Sequence, residues 1–321
     1  MLQDLHGRRF HYLRLSITDV CNFRCDYCLP DGYECTTEKQ QFLTLPEIKT
    51  ILSAFAGLGT SKVRITGGEP TLRKDLPDII ATAANTSGIE QVAITTNGYR
   101  LPQVVEDWKS AGLTSLNVSI DSLDPKVFSS ITGQDKLKTI LTGVENALAM
   151  NLKVKVNAVL LKSAYQLTPF LDWLKNSKVT LRFIELMQTG DNQLYFNKEH
   201  LSGEPLKDTL LEQGWTRVIR DKAAGPAQEF QHPEYAGRIG LIMPYSKDFC
   251  QTCNRLRISA TGKLHLCLFA EQGLDLRPYM QEQDAAALQQ QLQTLLQNKQ
   301  ATHWLNDGYT GATKHLAMLG G

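Results

Sequence analysis

Six apolar, β-branched runs with helix-patterned stretches between them predict an α/β chain, a partial (βα)6 barrel of the TIM type with a smaller C-terminal α+β region. Two further observations carry the parallel arrangement. The runs are nearly continuous in apolar residues, as strands covered on both faces are, and the polar and glycine-rich segments follow their C-terminal ends, where barrels gather their active sites. Six units fall short of the eight that close a barrel.

The strand runs span 11–17, 62–66, 91–96, 115–120, 153–161 and 179–186. The first helix is announced by a capping box, Thr44 with Glu47 three residues on, and by Pro46 in the opening turn. A cysteine loop follows the first run, Gly67-Gly68-Glu69-Pro70 the second, Asn97-Gly98 the third and Asp121 the fourth. After about residue 187 the rhythm changes. A helix is expected over 203–213, short strands at 215–220, 238–243, 255–259 and 263–267, and a hairpin turn at Thr261-Gly262. The glutamine-rich stretch 281–300 places Leu288, Leu292, Leu295 and Leu296 at helical spacing, so it reads as an amphipathic helix. The expected regions are 1–214 for the barrel and 215–321 for the C-terminal part.

With 321 residues, 42% of them hydrophobic, the chain can bury a large core. Its 34 basic and 33 acidic residues leave a net charge of +1, so no global field favours nucleic acid or an anionic membrane. No run reaches the roughly 18 apolar residues of a membrane span, and the N-terminus lacks the order of a signal peptide. A cytoplasmic protein is expected. Six of the seven cysteines fall in two metal-like groups, which fits a reducing compartment better than a disulfide framework; Cys35 is left as a bystander.

Cys21, Cys25 and Cys28 are spaced C-x3-C-x2-C just after the first strand run. Soft thiolates suit iron–sulfur clusters, and three of them on a 4Fe-4S cube leave the fourth iron open for chemistry. A zinc site or plain buried thiols are the bland alternatives, although zinc knuckles usually pair two C-x2-C units. Cys250, Cys253 and Cys267 form a second triplet, C-x2-C-x13-C. It reads either as a second 4Fe-4S cluster with an open iron or, with His265, as a structural Cys3His zinc site.

Arg255 and Arg257 alternate on a strand and share a face, and two guanidiniums side by side match phosphate oxygens bidentately. Arg14, Arg64, Lys155 and Arg182 are further charges inside apolar runs. Buried charges need partners, so the set points to an anionic ligand in the barrel.

The chain resembles, over essentially its whole length, the GTP 3′,8-cyclases of molybdenum cofactor biosynthesis, which are radical S-adenosylmethionine (radical SAM) enzymes. The resemblance rests on the first cysteine loop, Thr66-Gly67-Gly68-Glu69-Pro70, Thr95-Thr96-Asn97-Gly98, Asn117-Val118-Ser119-Ile120-Asp121, Arg182-Phe183-Ile184-Glu185, Cys250-x2-Cys253-Asn254-Arg255-x-Arg257, Cys267 and the terminal Gly320-Gly321. It implies that the first cluster binds S-adenosylmethionine (SAM) through its open iron and the second binds guanine, facing each other across the barrel. It implies SAM contacts at Tyr27, Gly68, Ser119 and Met187, and GTP contacts at Arg14, Arg64, Thr95, Lys155, Arg255 and Arg257, with Arg182 added. It implies that Arg255, Arg257, Gly320 and Gly321 are needed for activity, the two glycines by threading into the site.

The implied reaction is reductive cleavage of SAM, removal of the ribose 3′ hydrogen of GTP, attack of that carbon on guanine C8, and one-electron reduction with protonation. This is lyase chemistry giving (8S)-3′,8-cyclo-7,8-dihydroguanosine 5′-triphosphate. A flavodoxin-type electron donor, product hand-off to a cyclic pyranopterin synthase and a homodimer are implied as partners. The competing readings are a peptide-modifying radical SAM enzyme with an auxiliary cluster and a metal-stabilised binding protein without catalysis.

Overall fold

Strand β1 (Tyr12–Ser16) is buried along its whole length because it sits inside a parallel sheet with neighbours on both sides. The computed structural model describes residues 1–33, 41–219, 224–280 and 284–320. Strands β2 (Lys62–Thr66), β3 (Gln91–Thr96), β4 (Ser115–Ser119), β5 (Lys153–Leu160) and β6 (Thr180–Glu185) follow β1 in spatial order, each parallel to the last. The six expected runs are therefore six strands, with ends within a residue or so of those read from the pattern.

The later strands are β7 (Thr216–Arg217), β8 (Gln228–Gln231), β9 (Arg238–Ile242), β10 (Arg255–Ile258), β11 (Lys263–His265) and β12 (Leu274–Asp275). They extend the same sheet at both edges, in the order β12-β11-β10-β1-β2-β3-β4-β5-β6-β9-β8-β7. β10 lies parallel on β1 and β9 parallel on β6. The chain beyond 214 thus completes the walls of the barrel sheet, and its antiparallel pairs lie outside them. The end of the run expected at 215–220 falls partly outside the described residues, and β8, with the sequence QEFQ, carries no alternation to announce it.

Helices α1 (Leu45–Gly57), α2 (Leu76–Ala84), α3 (Leu101–Ser110), α4 (Pro125–Thr132), α5 (Leu137–Ala149), α6 (Leu167–Asn176), α7 (Gln193–Glu199), α8 (Glu204–Glu212) and α9 (Ala285–Leu296) complete the fold. The capping box at α1 forms as expected: the Thr44 hydroxyl accepts from the Glu47 N–H, and the Thr44 N–H donates to the Glu47 carboxylate at 2.7 Å. Leu288, Leu292 and Leu296 turn the glutamine-rich helix α9 inward, and it packs on α1. Leu15, Ile65, Ile94, Val118, Val156 and Phe183 belong to one continuous core with Ile48, Leu52 and Phe55 of α1. Each such side chain, fully buried, contributes about 1.5–3 kcal/mol.

The N-terminal segment is tied to the far end of the chain by one buried arginine. Arg8 pairs with Asp4 at 2.6 Å and donates to the carbonyls of Cys250 (3.1 Å), Ala301 (2.7 Å) and Gln300 (2.5 Å). The Asp4 side chain is fully shielded. Replacing Arg8 by methionine would strand that carboxylate and three acceptors, so denaturant unfolding is expected to show a loss of about 3–5 kcal/mol; a loss near the level of an exposed ion pair would contradict this role for Arg8.

Candidate active site

β1 ends at Ser16 and the chain runs over its C-terminal end into the loop of Cys21, Cys25 and Cys28. β10 runs parallel to β1 and begins at Arg255, which pairs with Tyr12, so Cys253 lies at the opposite end of the barrel, where β1 begins. Cys267, just past the exit of antiparallel β11, lies at that same end. The two triplets therefore sit at opposite mouths, separated by the length of β1, roughly 13 Å at strand rise.

The first mouth is a cavity lined by Cys21, Cys25 and Cys28 with Tyr27, Gly68, Ser119 and Met187. Every residue assigned to SAM is gathered there. Gly67 and Gly68 are required by close approach: a Cβ on Gly67 would strike the Thr18 carbonyl, and one on Gly68 the Val20 carbonyl, directly before Cys21. The Gly68 N–H donates to Thr18 at 2.8 Å and the Glu69 N–H to Val20 at 2.8 Å, which fixes the entry to the cysteine loop.

Glu69 is 0% exposed and spends its carboxylate on structure. It accepts from the Thr71 N–H (3.1 Å) and hydroxyl (2.6 Å), the Thr96 hydroxyl (2.7 Å) and the Asn97 N–H (2.7 Å), joining the loop after β2 to the end of β3. Burial pushes its carboxyl above the usual range against the pull of those four donors. Asp121 plays the matching part on the other side. It accepts from the Tyr27 hydroxyl at 3.0 Å and the Val159 N–H at 2.9 Å, and burial raises it to about 6.

Burial also raises the thiols, Cys21 to about 11 and Cys28, with Cys21 beside it, to about 12. Without a metal these groups stay protonated. The six described cysteines are free of disulfides, and the mutual proximity of Cys21, Cys25 and Cys28 around one cavity fits the thiolate donor set of a 4Fe-4S cluster. Among the described residues no three His, Cys, Asp or Glu side chains converge on a point suited to a single metal ion; the thiolates of a cluster each bind a different iron and need not converge in that way.

The C-terminal tail closes this mouth. Leu316, Ala317 and Gly320 line the cavity, and the Cys28 thiol faces the N–H groups of Ala317 and Leu316. Gly320 has φ +63°, and a Cβ there would strike the Thr66 side chain at the end of β2. Leu316 and Leu319 pack with Leu268 and Phe269 in a small cluster that touches both Cys28 and Cys267. Gly321 and Cys35 lie outside the described residues.

The second cavity is lined by Cys250, Cys253 and Cys267 with Tyr12, Arg14, Arg64, Arg182, Arg255 and Arg257. The register stacks the cations: Arg14 is paired with Arg64 on one side and Arg257 on the other, and Tyr12 with Lys62 and Arg255 one layer nearer the second triplet. Arg182, across the barrel, pairs with Gly240 of β9, where a Cβ would press on the arginine's stem. Among the described residues no carboxylate lies within ion-pair distance of Arg64, Arg182, Arg255 or Arg257, and the Nε of each is buried without a partner. Burial and mutual repulsion bring Arg182 down to about 9 and Arg257 to about 10. Such a set presents several charged donors to any anion that enters the cavity. In the same field Cys253, which burial alone would raise, is drawn down to about 6 by Arg255 and Lys299.

Asn157, Ile184 and Met187 line both cavities and form their common wall. Asn157 was not expected from the sequence; its place in the alternating face of β5, two residues past Lys155, was the available signal. Two expected residues sit elsewhere. Thr95 lines the first cavity, where the Asn117 amide reaches it at 3.4 Å, and Lys155 forms an ion pair with Glu229 at 2.9 Å without lining either cavity. His265 lies against Gly273 and does not line the cavity of the second cysteines.

A radical SAM superfamily model matches residues 15–164, and a molybdenum cofactor synthesis C model matches 179–305. Curated relatives named GTP 3′,8-cyclase include that of Vibrio parahaemolyticus, 54% identical over 99% of this chain and 97% of the relative. That of Tolumonas auensis is 55% identical over 100% and 96%, and that of Cronobacter sakazakii 52% over 100% and 99%. Among solved structures, Streptococcus suis SuiB bound to S-adenosylmethionine superposes with a TM-score of 0.63 at 15% identity, covering 89% of this chain and 68% of that one. That likeness is one of fold.

Gly68→Ala would drive the turn after β2 into the Val20 carbonyl and displace the neighbouring cysteine loop. Iron carried after reconstitution is expected to fall by about half, one 4Fe-4S cluster of two, with the far-UV circular dichroism unchanged; full iron loading would show that the close approach is dispensable.

Proposed function

The chain belongs to the GTP 3′,8-cyclase family, and on that premise we propose that it converts GTP to (8S)-3′,8-cyclo-7,8-dihydroguanosine 5′-triphosphate in molybdenum cofactor biosynthesis, as a lyase of the radical SAM class. The observation that carries this reading is the shared wall at Asn157, Ile184 and Met187, which lets a reagent at one mouth meet a nucleotide anchored toward the other. When bound, the iron–sulfur clusters and SAM supply the electron and the carbon-radical chemistry that no side chain provides.

The residues of the chain bind, orient and shield. Cys21, Cys25 and Cys28 would hold the first cluster, and Cys250, Cys253 and Cys267 a second 4Fe-4S cluster, which would offer an open coordination position for the guanine. Tyr27, Gly68, Ser119 and Met187 hold SAM, with Asp121 fixing the Tyr27 ring by the bond already described. Arg14, Arg64, Arg182, Arg255 and Arg257 clamp the triphosphate. Thr95 acts from the SAM side, and Lys155 reaches the nucleotide only by exchanging Glu229 for a phosphate. Gly320 closes the first mouth and keeps water from the reacting centre, and Gly321 is proposed to be needed with it for activity. Binding energy from the phosphates, remote from the reacting carbon, is used to orient the ribose, so loss of the clamp lowers rate as well as affinity.

We further infer a flavodoxin-type electron donor, hand-off of the product to a cyclic pyranopterin synthase, a homodimer and action in the cytoplasm; no described helix is long and apolar enough to cross a membrane. Identity of 54% to a GTP 3′,8-cyclase over 99% of the chain favours the cyclase reading over the peptide-modifying alternative.

Anaerobic incubation of the cluster-loaded protein with SAM, a strong reductant and each nucleoside triphosphate in turn tests the reading. 5′-Deoxyadenosine and a cyclised nucleotide are expected together, in similar amounts, with GTP alone. SAM cleavage that ignores GTP and yields no nucleotide product would overturn the substrate. Arg255→Ala and Arg257→Ala are each expected to keep full iron while lowering kcat/KM by about a hundredfold, as expected for loss of a charged phosphate contact. Deleting Gly320 and Gly321 is expected to abolish cyclisation with iron content and melting temperature intact, and an active truncation would remove the tail from the mechanism.

A further inference from the structure

Tyr12 is 2% exposed, lines the second cavity, and its hydroxyl has no hydrogen-bond partner among the described residues. A buried tyrosine normally pairs its hydroxyl, because an unmet buried donor loses its water for nothing. Here the ring alone accounts for the packing. The Arg64 guanidinium carbon stands 5.4 Å and the Lys62 ammonium 5.2 Å from the ring centroid, and phenylalanine offers cations the same face. Packing among the described residues therefore gives the hydroxyl no role, and it is free to meet a ligand in the cavity.

Its neighbours define that partner. In the register Tyr12 lies between Lys62 and Arg255, with Arg14 and Arg64 in the adjoining layer. These groups only donate hydrogen bonds, so none can receive the tyrosine proton. A ligand that satisfies Lys62, Arg64, Arg255 and one hydroxyl donor together is an anion rich in acceptor oxygens. We propose that the Tyr12 hydroxyl is a direct ligand of the polyphosphate chain of the bound nucleotide, an uncharged donor alongside the arginines. The inference rests on the nucleotide reading of this cavity and adds to it a residue outside the arginine set. Burial alone would raise the phenol, yet Arg64, Arg14, Lys62 and Arg255 bring it down to about 8, and a more acidic phenol is a stronger donor to a phosphate oxygen.

The test compares Tyr12→Phe with the unaltered chain, both loaded with clusters, by anaerobic calorimetric titration with GTP, ATP, inorganic tripolyphosphate and guanosine. Affinity for GTP and for tripolyphosphate is expected to fall together by about tenfold, a charge-assisted hydrogen bond's worth, with guanosine unchanged. The ligand-free variant is expected to melt at or above the temperature of the unaltered chain, since it loses only an unpartnered hydroxyl. A variant that binds tripolyphosphate with unaltered affinity, or one that loses guanosine but not tripolyphosphate, overturns the inference. If the unaltered chain binds GTP no better than ATP, the guanine reading fails, and the tripolyphosphate comparison still decides the role of Tyr12.

Discussion

The structure is organised around a stack of guanidinium groups buried inside a parallel sheet, where among the described residues no carboxylate pairs with Arg64, Arg182, Arg255 or Arg257. Arg14, Arg64 and Arg257 occupy one layer, Arg255 the next, and Arg182 faces them across the barrel. Burying an ion without a counter-charge costs several kcal/mol. A fold accepts that cost where a ligand offsets it, and the size of the cationic set calls for a ligand with several negative charges. The nearby carboxylate of Glu229 is engaged by Lys155. Arg64, Arg182, Arg255 and Arg257 thus keep their charge free of carboxylates among the described residues, as a polyphosphate ligand would require.

What allows the stack is the way the C-terminal strands return to the barrel. β10 joins β1 and β9 joins β6, so the wall that carries Arg255 and Arg257 comes from the end of the chain and the wall opposite it borrows Gly240 to make room for Arg182. The same parallel pairing of β10 puts Cys250 and Cys253 at the mouth opposite Cys21, Cys25 and Cys28. The tail then passes from one mouth toward the other, with Leu316 and Leu319 touching the surroundings of Cys28 and Cys267 alike. Carboxylates that a catalytic reading would single out are occupied in building this frame. Glu69 has four donors on it and Asp121 two, and their raised pKa values follow from burial.

Much of this was legible in the sequence because the signals are local. Thr44 and Glu47 state a helix start within four residues, apolar runs with period-two charges mark strands and their inward face, and the spacings of the two cysteine triplets foretell that each gathers at one cavity. What stayed hidden is non-local. The docking of β9 and β10 onto the two edges of the barrel sheet depends on pairings between residues more than fifty positions apart, which no window of sequence reports. Lys155 carried the right charge in the right strand, yet Glu229, brought in by β8, claims it. Thr95 shares a face with the barrel interior but opens to the first mouth. Tyr12 and Asn157 read as ordinary strand residues, and only the cavity walls single them out.

The central claim is that chemistry started at the first mouth acts on the ribose of a nucleotide anchored at the second, across the wall of Asn157, Ile184 and Met187. The most direct measurement uses GTP carrying deuterium at the ribose 3′ carbon, incubated anaerobically with the cluster-loaded protein, SAM and a reductant, followed by mass analysis of the 5′-deoxyadenosine released. One deuterium per molecule, matched by a cyclised nucleotide that has lost it, is the expected result. Deoxyadenosine free of deuterium beside intact labelled GTP would mean that the two cavities do not work on one substrate.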